Sequence, residues 1–489
     1  MAVSDLLGLP HLHRLPAGSR PRITPGAAGA GIVHLGLGAF FRAHQAVYTE
    51  DAMAAAGGDW GILGVAPRSR DVVDALTAQD DLYSVTTLAP AGPSVRVIGA
   101  LAGARQAAAD PDAIVALLAD PAIRIVTLTV TEKGYRLDPA TGRLLIDDEL
   151  LADLETGRPP RTVPGLLIRG LAARRRADAG PIALMSCDNL PANGHRLRGL
   201  VDHLAAGAGL TDWVRANATF PGTMVDRIVP ATTTATLDEA ARLLGARDLA
   251  AVCGEPYYQW IIEDDFPGGR PAWDRAGAVL TGDARPWEQL KLRMLNGVHS
   301  GIAYLGALAG CDTIAQALRT PGLLPVVRRL IDEDIRPSFT PPDGVDTAQY
   351  GDEVLERFAN PAIVHRTIQI AMDGTQKLPQ RVLHTIADRR AAGAVPRWAI
   401  LVVAAWMRFV RGTADDGRTL PLDDPLAGRI RVRLASSPDT PEAIVDALLG
   451  LDTVFTPSLA ADDEVRALLV EWLTALDKHG VEATLAGVR

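Results

Sequence analysis

AGIVHLG, residues 30–36, runs directly into LGAFFRAHQAVYTEDAMAAAG, residues 37–57. A short β-branched apolar run, a glycine-rich turn and a helical pattern in immediate succession are the expected opening of a dinucleotide-binding βαβ unit. In such a unit the first glycine permits the tight turn and the second lets the backbone approach a pyrophosphate. The third lets helix and strand pack closely. Gly36 and Gly38 hold the first two places, and Phe41 stands in the third. The phenylalanine predicts a wider gap between helix and sheet, and the two glycines taken alone fit an ordinary strand-to-helix turn equally well. The flanking sequence decides. WGILGVA at 60–66, IRIVTLTV at 123–130 and PIALMS at 181–186 repeat the strand pattern, with Ala-rich helical stretches between them. That alternation predicts a parallel sheet with crossover helices, an α/β fold of Rossmann type.

Between Asp248 and Pro286 the pattern loosens into a connecting segment with a strand or two. Beyond it EQLKLRMLNGVHSGIAYLGALAG, PEAIVDALLG and EVRALLVEWLTALDKHG carry apolar residues three and four apart, which predicts helices. A boundary near residue 285 therefore separates a nucleotide-binding domain, 1–285, from a mostly helical domain, 286–489. The 489 residues allow two domains, each with its own core. Acidic residues outnumber basic ones 58 to 49, and the net charge of -9 offers no broad positive field to nucleic acid or an anionic membrane. A small molecule is the expected partner. Cys187, Cys253 and Cys311 are too scattered for a disulfide framework or a zinc cluster, so no metal is expected. The N-terminus lacks a charged head followed by an apolar core, and no apolar run approaches the roughly 18 residues of a membrane span, so a cytoplasmic location is expected.

Chemistry concentrates in KLRMLNGVHS, 291–300. On a helix of 100° per residue, Lys291, His299 and Asn296 point at roughly 0°, 80° and 140°, among the apolar Val298, Leu295 and Leu292. A lysine in an apolar stripe is partly desolvated. Desolvation disfavours the ammonium and prepares an amine to take a proton from an alcohol. A snorkelling lysine, a satisfied core histidine and an interhelical amide are the structural alternative. SCDNLPANG, 186–194, places Asn189 and Asn193 at the carboxyl end of a strand, where ligands of open α/β sheets bind and where turn residues are also common. In TMVDRIVP, 223–230, Asp226 and Arg227 read either as a carboxylate for sugar hydroxyls or as a structural ion pair. Arg68 and Arg70 follow the second strand, where they read as acceptors of a 2′-phosphate or as surface arginines. His365, Arg366, Lys377 and Arg381 surround a DGTQK turn, which reads as a solvated loop or a wall of the site.

These stretches, together with AQDDLYSV at 78–85 and EPYYQWIIEDDF at 255–266, resemble in the same order the mannitol dehydrogenase family of long-chain polyol-specific dehydrogenases. The family also includes fructuronate- and altronate-type oxidoreductases. The resemblance covers nearly the whole chain. It implies metal-independent hydride transfer with NAD, NADP remaining open because of Arg68 and Arg70. It also implies a Rossmann-type N-terminal domain, a helical C-terminal domain and an active site in the cleft between them. By the same resemblance Lys291 is the general base, with Asn296, His299 and Asn189 beside it. Asp226 and Lys377 bind substrate hydroxyls, with Arg366 and Val225 as further candidates, and Gly36, Gly38, Phe40, Phe41 and Arg68 form the cofactor set.

The leading expectation is an oxidoreductase that interconverts D-mannitol and D-fructose. Fructuronate reduction to mannonate is the close alternative, since KLRMLNGVHSGIAYLGALAG is nearer to hexuronate-type members. Two other classes are weighed. A Schiff-base lyase would use Lys291 without needing the GLGAFF turn, and a nucleotide-sensing module would keep that turn without needing Lys291, Asn296 and His299.

Overall fold

The computed structural model describes residues 5–136, 144–155 and 158–487. The chain separates into two compact units, Met1–Arg285 and Pro286–Arg489.

Twelve strands lie among the described residues of the first unit. They are β1 (Ala30–Leu35), β2 (Gly61–Ala66), β3 (Tyr83–Ala89), β4 (Gly92–Ile98), β5 (Leu101–Gln106), β6 (Ile125–Leu128), β7 (Ile182–Ser186), β8 (Ala218–Thr219), β9 (Thr223–Asp226), β10 (Val252–Gly254), β11 (Gln259–Glu263) and β12 (Val279–Thr281). The central sheet has six strands in the order β5-β2-β1-β6-β7-β8, and every pairing in it is parallel. Numbered by their sequence within the sheet, these strands run 3-2-1-4-5-6. This is the doubly wound order in which a dinucleotide binds beyond the carboxyl ends where the order reverses. The reversal lies between β1 and β6. β6 and β7 are buried along their whole length, as strands covered by helices on both faces must be. The sequence reading found β1, β2, β6 and β7. It missed the β3–β4 hairpin, and the loosened segment after Asp248 holds three short strands, β10, β11 and β12.

The turn after β1 departs from the expected gap. Gly36 has φ +111°, and a Cβ there would overlap the carbonyl oxygen of Thr129, so the position needs glycine. Phe41 is fully buried, and its ring stacks on the imidazole of His34 with centroids 3.5 Å apart and planes 10° from parallel. The space a third glycine would close by backbone contact is thus filled by two flat rings. His34 Nε2 donates to the Gly36 carbonyl at 2.8 Å and reaches Thr129 Oγ1 at 2.9 Å, while Nδ1 accepts from Thr127 Oγ1 at 2.7 Å. The tautomer follows, because the Gly36 carbonyl can only accept. Burial pushes the pKa of His34 down to about 3, so the ring stays neutral in this role.

The second unit is helical. Among its described residues Val298–Leu308 is buried throughout and packs on Arg397–Phe409, which holds the apolar run WAILVVAAWM and in turn packs on Asp463–Ala486. Three turns, Lys291–Gly297, Leu330–Ile335 and Pro379–Leu383, are wound as π-helix. No described helix of the chain is long and apolar enough to cross a membrane.

Restoring the missing glycine tests the stacked-ring account. Phe41→Gly is expected to destabilise the first unit by about 3 to 5 kcal/mol, the usual cost of emptying a buried aromatic site. Nucleotide affinity should fall with it. Urea unfolding and nicotinamide-nucleotide fluorescence titration measure the two effects. A variant as stable as the parent would refute the account.

Candidate active site

Helix Arg285–Leu290 passes without a break into the π-helical turn Lys291–Gly297 and then into Val298–Leu308. The expected wheel of 100° per residue therefore does not apply across 291–297. A π-turn bonds i to i+5, so residues five apart come close to alignment. Lys291 and Asn296, roughly 140° apart on an α-helical wheel, are such a pair. All three polar groups of the motif are buried, with Lys291 6%, Asn296 7% and His299 8% exposed. Asn296 Nδ2 and His299 Nε2 are shut off from solvent and have no hydrogen-bond partner among the described residues. An unmet buried polar group costs about 1 to 3 kcal/mol, so these two atoms have hydrogen bonds left to make.

His299 stacks on Phe358, with centroids 4.4 Å apart, and lies 5.2 Å from the ring of His365. Burial holds its pKa well below the usual value, and His365, Arg381, Arg357 and Lys377 lower it further. Burial, then Arg357, pushes His365 down to about 4. His299 is thus a neutral imidazole able to donate to or accept from a hydroxyl. Lys377 donates to the Met372 carbonyl at 2.6 Å and lies 3.8 Å from Asp373, and burial followed by Arg381 pushes its pKa down to about 8. Lys377 and Arg381 therefore belong to the surroundings of His299. Arg366, next in sequence to His365, is exposed, and its backbone bridges to Thr313.

In the first unit Asn189 is exposed just beyond the carboxyl end of β7. Asn193 is not available to a ligand. Its Nδ2 donates to the carbonyls of Asp188 and Thr223 and to Thr223 Oγ1, while its Oδ1 accepts from Thr223 N at 3.0 Å, so it ties β7 to β9. Asp226 and Val225 are buried on β9, where Val225 is part of the apolar core. The Arg227 guanidinium donates to the carbonyls of Ala43 and Glu255 and lies over the ring of Tyr258.

Gly38 is exposed, and an added Cβ would meet nothing nearer than the Gly36 oxygen at 3.9 Å, so a bound group can come right up to the backbone. Phe40 stacks on His44 with centroids 5.0 Å apart. Arg68 is exposed beyond β2 and lies 3.8 Å from Glu149. The two share a cavity of about 990 Å³ with Pro67, Asp148, Arg158 and Arg161. Sequence reading missed Asp148 and Glu149 as neighbours of Arg68 because they lie some eighty residues from it. Among the described residues no group of three His, Cys, Asp or Glu could hold a metal ion.

The family model of the mannitol dehydrogenase Rossmann domain matches residues 30–275, and that of the mannitol dehydrogenase C-terminal domain matches 283–477. The chain belongs to the mannitol dehydrogenase family. It is 40% identical to D-mannonate oxidoreductase of Escherichia coli (strain K12), across 94% of this chain and 95% of that protein. It is 38% identical to mannitol 2-dehydrogenase of Cereibacter sphaeroides, across 96% and 97%. Among solved structures, the ternary complex of Pseudomonas fluorescens mannitol 2-dehydrogenase with NAD and D-mannitol superposes with a TM-score of 0.84 at 34% identity, covering 98% of each chain. As a member of the mannitol dehydrogenase family the protein is an oxidoreductase of the polyol and sugar-acid class, which sets aside the lyase and nucleotide-sensing readings.

The neutral histidines predict an acid-side loss of stability. The unfolded chain protonates these imidazoles near pH 6.5 while the folded protein keeps them neutral. Below that pH the unfolded state binds more protons. Each of His299 and His365 is then expected to remove about 1.4 kcal/mol per pH unit, for His365 until about pH 4. Urea unfolding from pH 7 to 4.5 measures the slope, and imidazole NMR signals that titrate near 6.5 in the folded protein would contradict it.

Proposed function

We propose that the protein is a metal-independent, NAD-dependent dehydrogenase that interconverts a secondary alcohol of a straight-chain six-carbon substrate with the ketone. One observation carries this reading: Lys291 is buried on a π-turn beside two unpartnered polar atoms, Asn296 Nδ2 and His299 Nε2. In the oxidative direction the Lys291 amine takes the hydroxyl proton. Asn296 Nδ2 donates to the oxygen as it gains alkoxide character, and such a preorganised donor is worth roughly 3 to 4 kcal/mol in a site closed to water. Neutral His299 fixes a hydroxyl of the substrate. Lys377 binds a further hydroxyl, while Asn189, Asp226, Val225 and Arg366 keep the roles that the family pattern gives them. NAD, when bound, supplies the hydride acceptor. Gly36, Gly38, Phe40 and Phe41 form the turn that would hold its pyrophosphate, and the open space over Gly38 fits that group. The cavity at Arg68 suits its adenosine end. That cavity is lined by Arg68, Arg158 and Arg161 as well as by Asp148, Glu149 and Asp153, so its charges balance, and the preference for NAD over NADP is supported by the likeness to the mannitol 2-dehydrogenase solved with NAD.

The substrate pair the sequence points to is D-mannitol and D-fructose. The second reading, D-mannonate and D-fructuronate, is favoured by the positive charges of Arg381, Arg357 and Lys377 around His299.

Lys291→Ala is expected to lower kcat by at least 10²-fold and to abolish the rise of oxidation rate with pH, while nucleotide affinity changes little. Steady-state assays across pH, with fluorescence titration of the reduced nucleotide, test this. Near-normal kcat with an unchanged profile in a folded variant would end the base assignment. Turnover should survive dialysis against EDTA, and recovery of lost activity by added zinc would instead require a metal mechanism. With either substrate kcat/KM is expected to be at least tenfold higher with NAD than with NADP.

A further inference from the structure

Arg381 lies on the π-turn Pro379–Leu383, and the backbone there touches the other π-turn of the site. A Cβ on Gly297 would sit 2.5 Å from the Arg381 carbonyl oxygen. The Arg381 side chain continues toward the same place, where Nη1 donates to Ser300 Oγ at 3.2 Å, next in sequence to His299. Ser300 is its one hydrogen-bond partner, and no carboxylate lies within ion-pair distance of it, among the described residues. The two acids nearby are engaged elsewhere. Asp373 lies 3.8 Å from Lys377, and Asp424 accepts from Thr375 N and Oγ1 at 2.8 and 2.5 Å. Arg381 is partly buried, and burial pushes its pKa down to about 10 although the charge of Asp373 works the other way. Lys377 and Arg357 add positive charge to the same neighbourhood, which helps to keep His299 neutral.

We propose that Arg381 binds a carboxylate of the substrate, so that this site selects a six-carbon polyhydroxy acid over the uncharged polyol. The inference rests on the dehydrogenase reading above and names its substrate class. The planar guanidinium presents parallel N–H donors that match a carboxylate, and with Nη1 on Ser300 the remaining donors are unspent. Asn296 Nδ2, on the touching turn, and His299 Nε2, on the helix that follows it, then meet hydroxyl oxygens of the same molecule.

The test compares an aldonate with the hexitol of the same stereochemistry, D-mannonate with D-mannitol, using NAD and the intact protein. The wild type is expected to show kcat/KM at least tenfold higher for the acid. In Arg381→Met the acid-to-polyol ratio should collapse by roughly 10- to 100-fold, mainly through KM for the acid. Arg381→Lys, which keeps the charge but loses the fork, should give an intermediate ratio, and it decides the matter if the methionine variant fails to fold as judged by circular dichroism. An unchanged ratio in the folded variants overturns the proposal, and so does a wild type that oxidises mannitol as well as mannonate. Those outcomes in an active enzyme that still depends on Lys291 leave the dehydrogenase reading standing. No nicotinamide reduction with either substrate, and no effect of Lys291→Ala, would remove both.

Discussion

Gly297 has no room for a side chain, because the carbonyl of Arg381 occupies the place where one would begin. That backbone contact organises the catalytic half of the protein. Two helical segments can come this close where a glycine meets a bare carbonyl, and both segments are wound as π-turns at the contact. A wider turn directs side chains that an α-helix would spread around its circumference toward fewer directions. Lys291 and Asn296 benefit on one side of the contact. On the other, Arg381 reaches back to Ser300. The polar groups are thus collected by main-chain geometry and then held by the apolar packing of Val298–Leu308.

The nucleotide-binding half solves a similar problem of close approach by other means. The Gly36 carbonyl accepts from three donors, Gly38 N at 2.7 Å, His34 Nε2 at 2.8 Å and Thr129 Oγ1 at 2.8 Å. A carbonyl so fully engaged cannot swing, and the turn is fixed from the sheet side while Gly38 stays open. The stack of Phe41 on His34 sets the spacing of helix and strand with a rigid pair of rings. Acid works against this arrangement, because a protonated imidazole buried there would lose its acceptor for Thr127.

The sheet was legible because β1, β2, β6 and β7 are buried on both faces and so read as unbroken apolar runs. β3 and β4 carry Thr, Ser, Pro and Arg on a partly exposed hairpin, and β8 is two residues long, so neither left a clear signal. At the site, residue types and spacing exposed Lys291, Asn296 and His299, but the direction each one takes was hidden, since a period of 3.6 was assumed where the chain adopts a longer one. Asn189 and Asn193 show the other limit. They share a side chain and a turn, and only a partner thirty residues away, Thr223, commits Asn193 to holding two strands together. Arg381 was visible as a charge near a turn. That no described carboxylate lies within ion-pair distance of it is a property of the folded neighbourhood.

The π-turn at Lys291–Gly297 also governs how this protein answers to changes in chain length. A single π-turn is what one surplus residue becomes inside an otherwise α-helical segment. Deleting one residue between Lys291 and Asn296 would let the helix close up as a regular one, with the buried helix that follows still able to keep its register. Lys291 and Asn296, five apart on the π-turn, would become four apart on an α-helix and stay within about 40° of each other around the axis. The turn therefore takes up a surplus residue without spreading Lys291 and Asn296 around the helix, so the chain can carry one more residue here and keep both groups on one side.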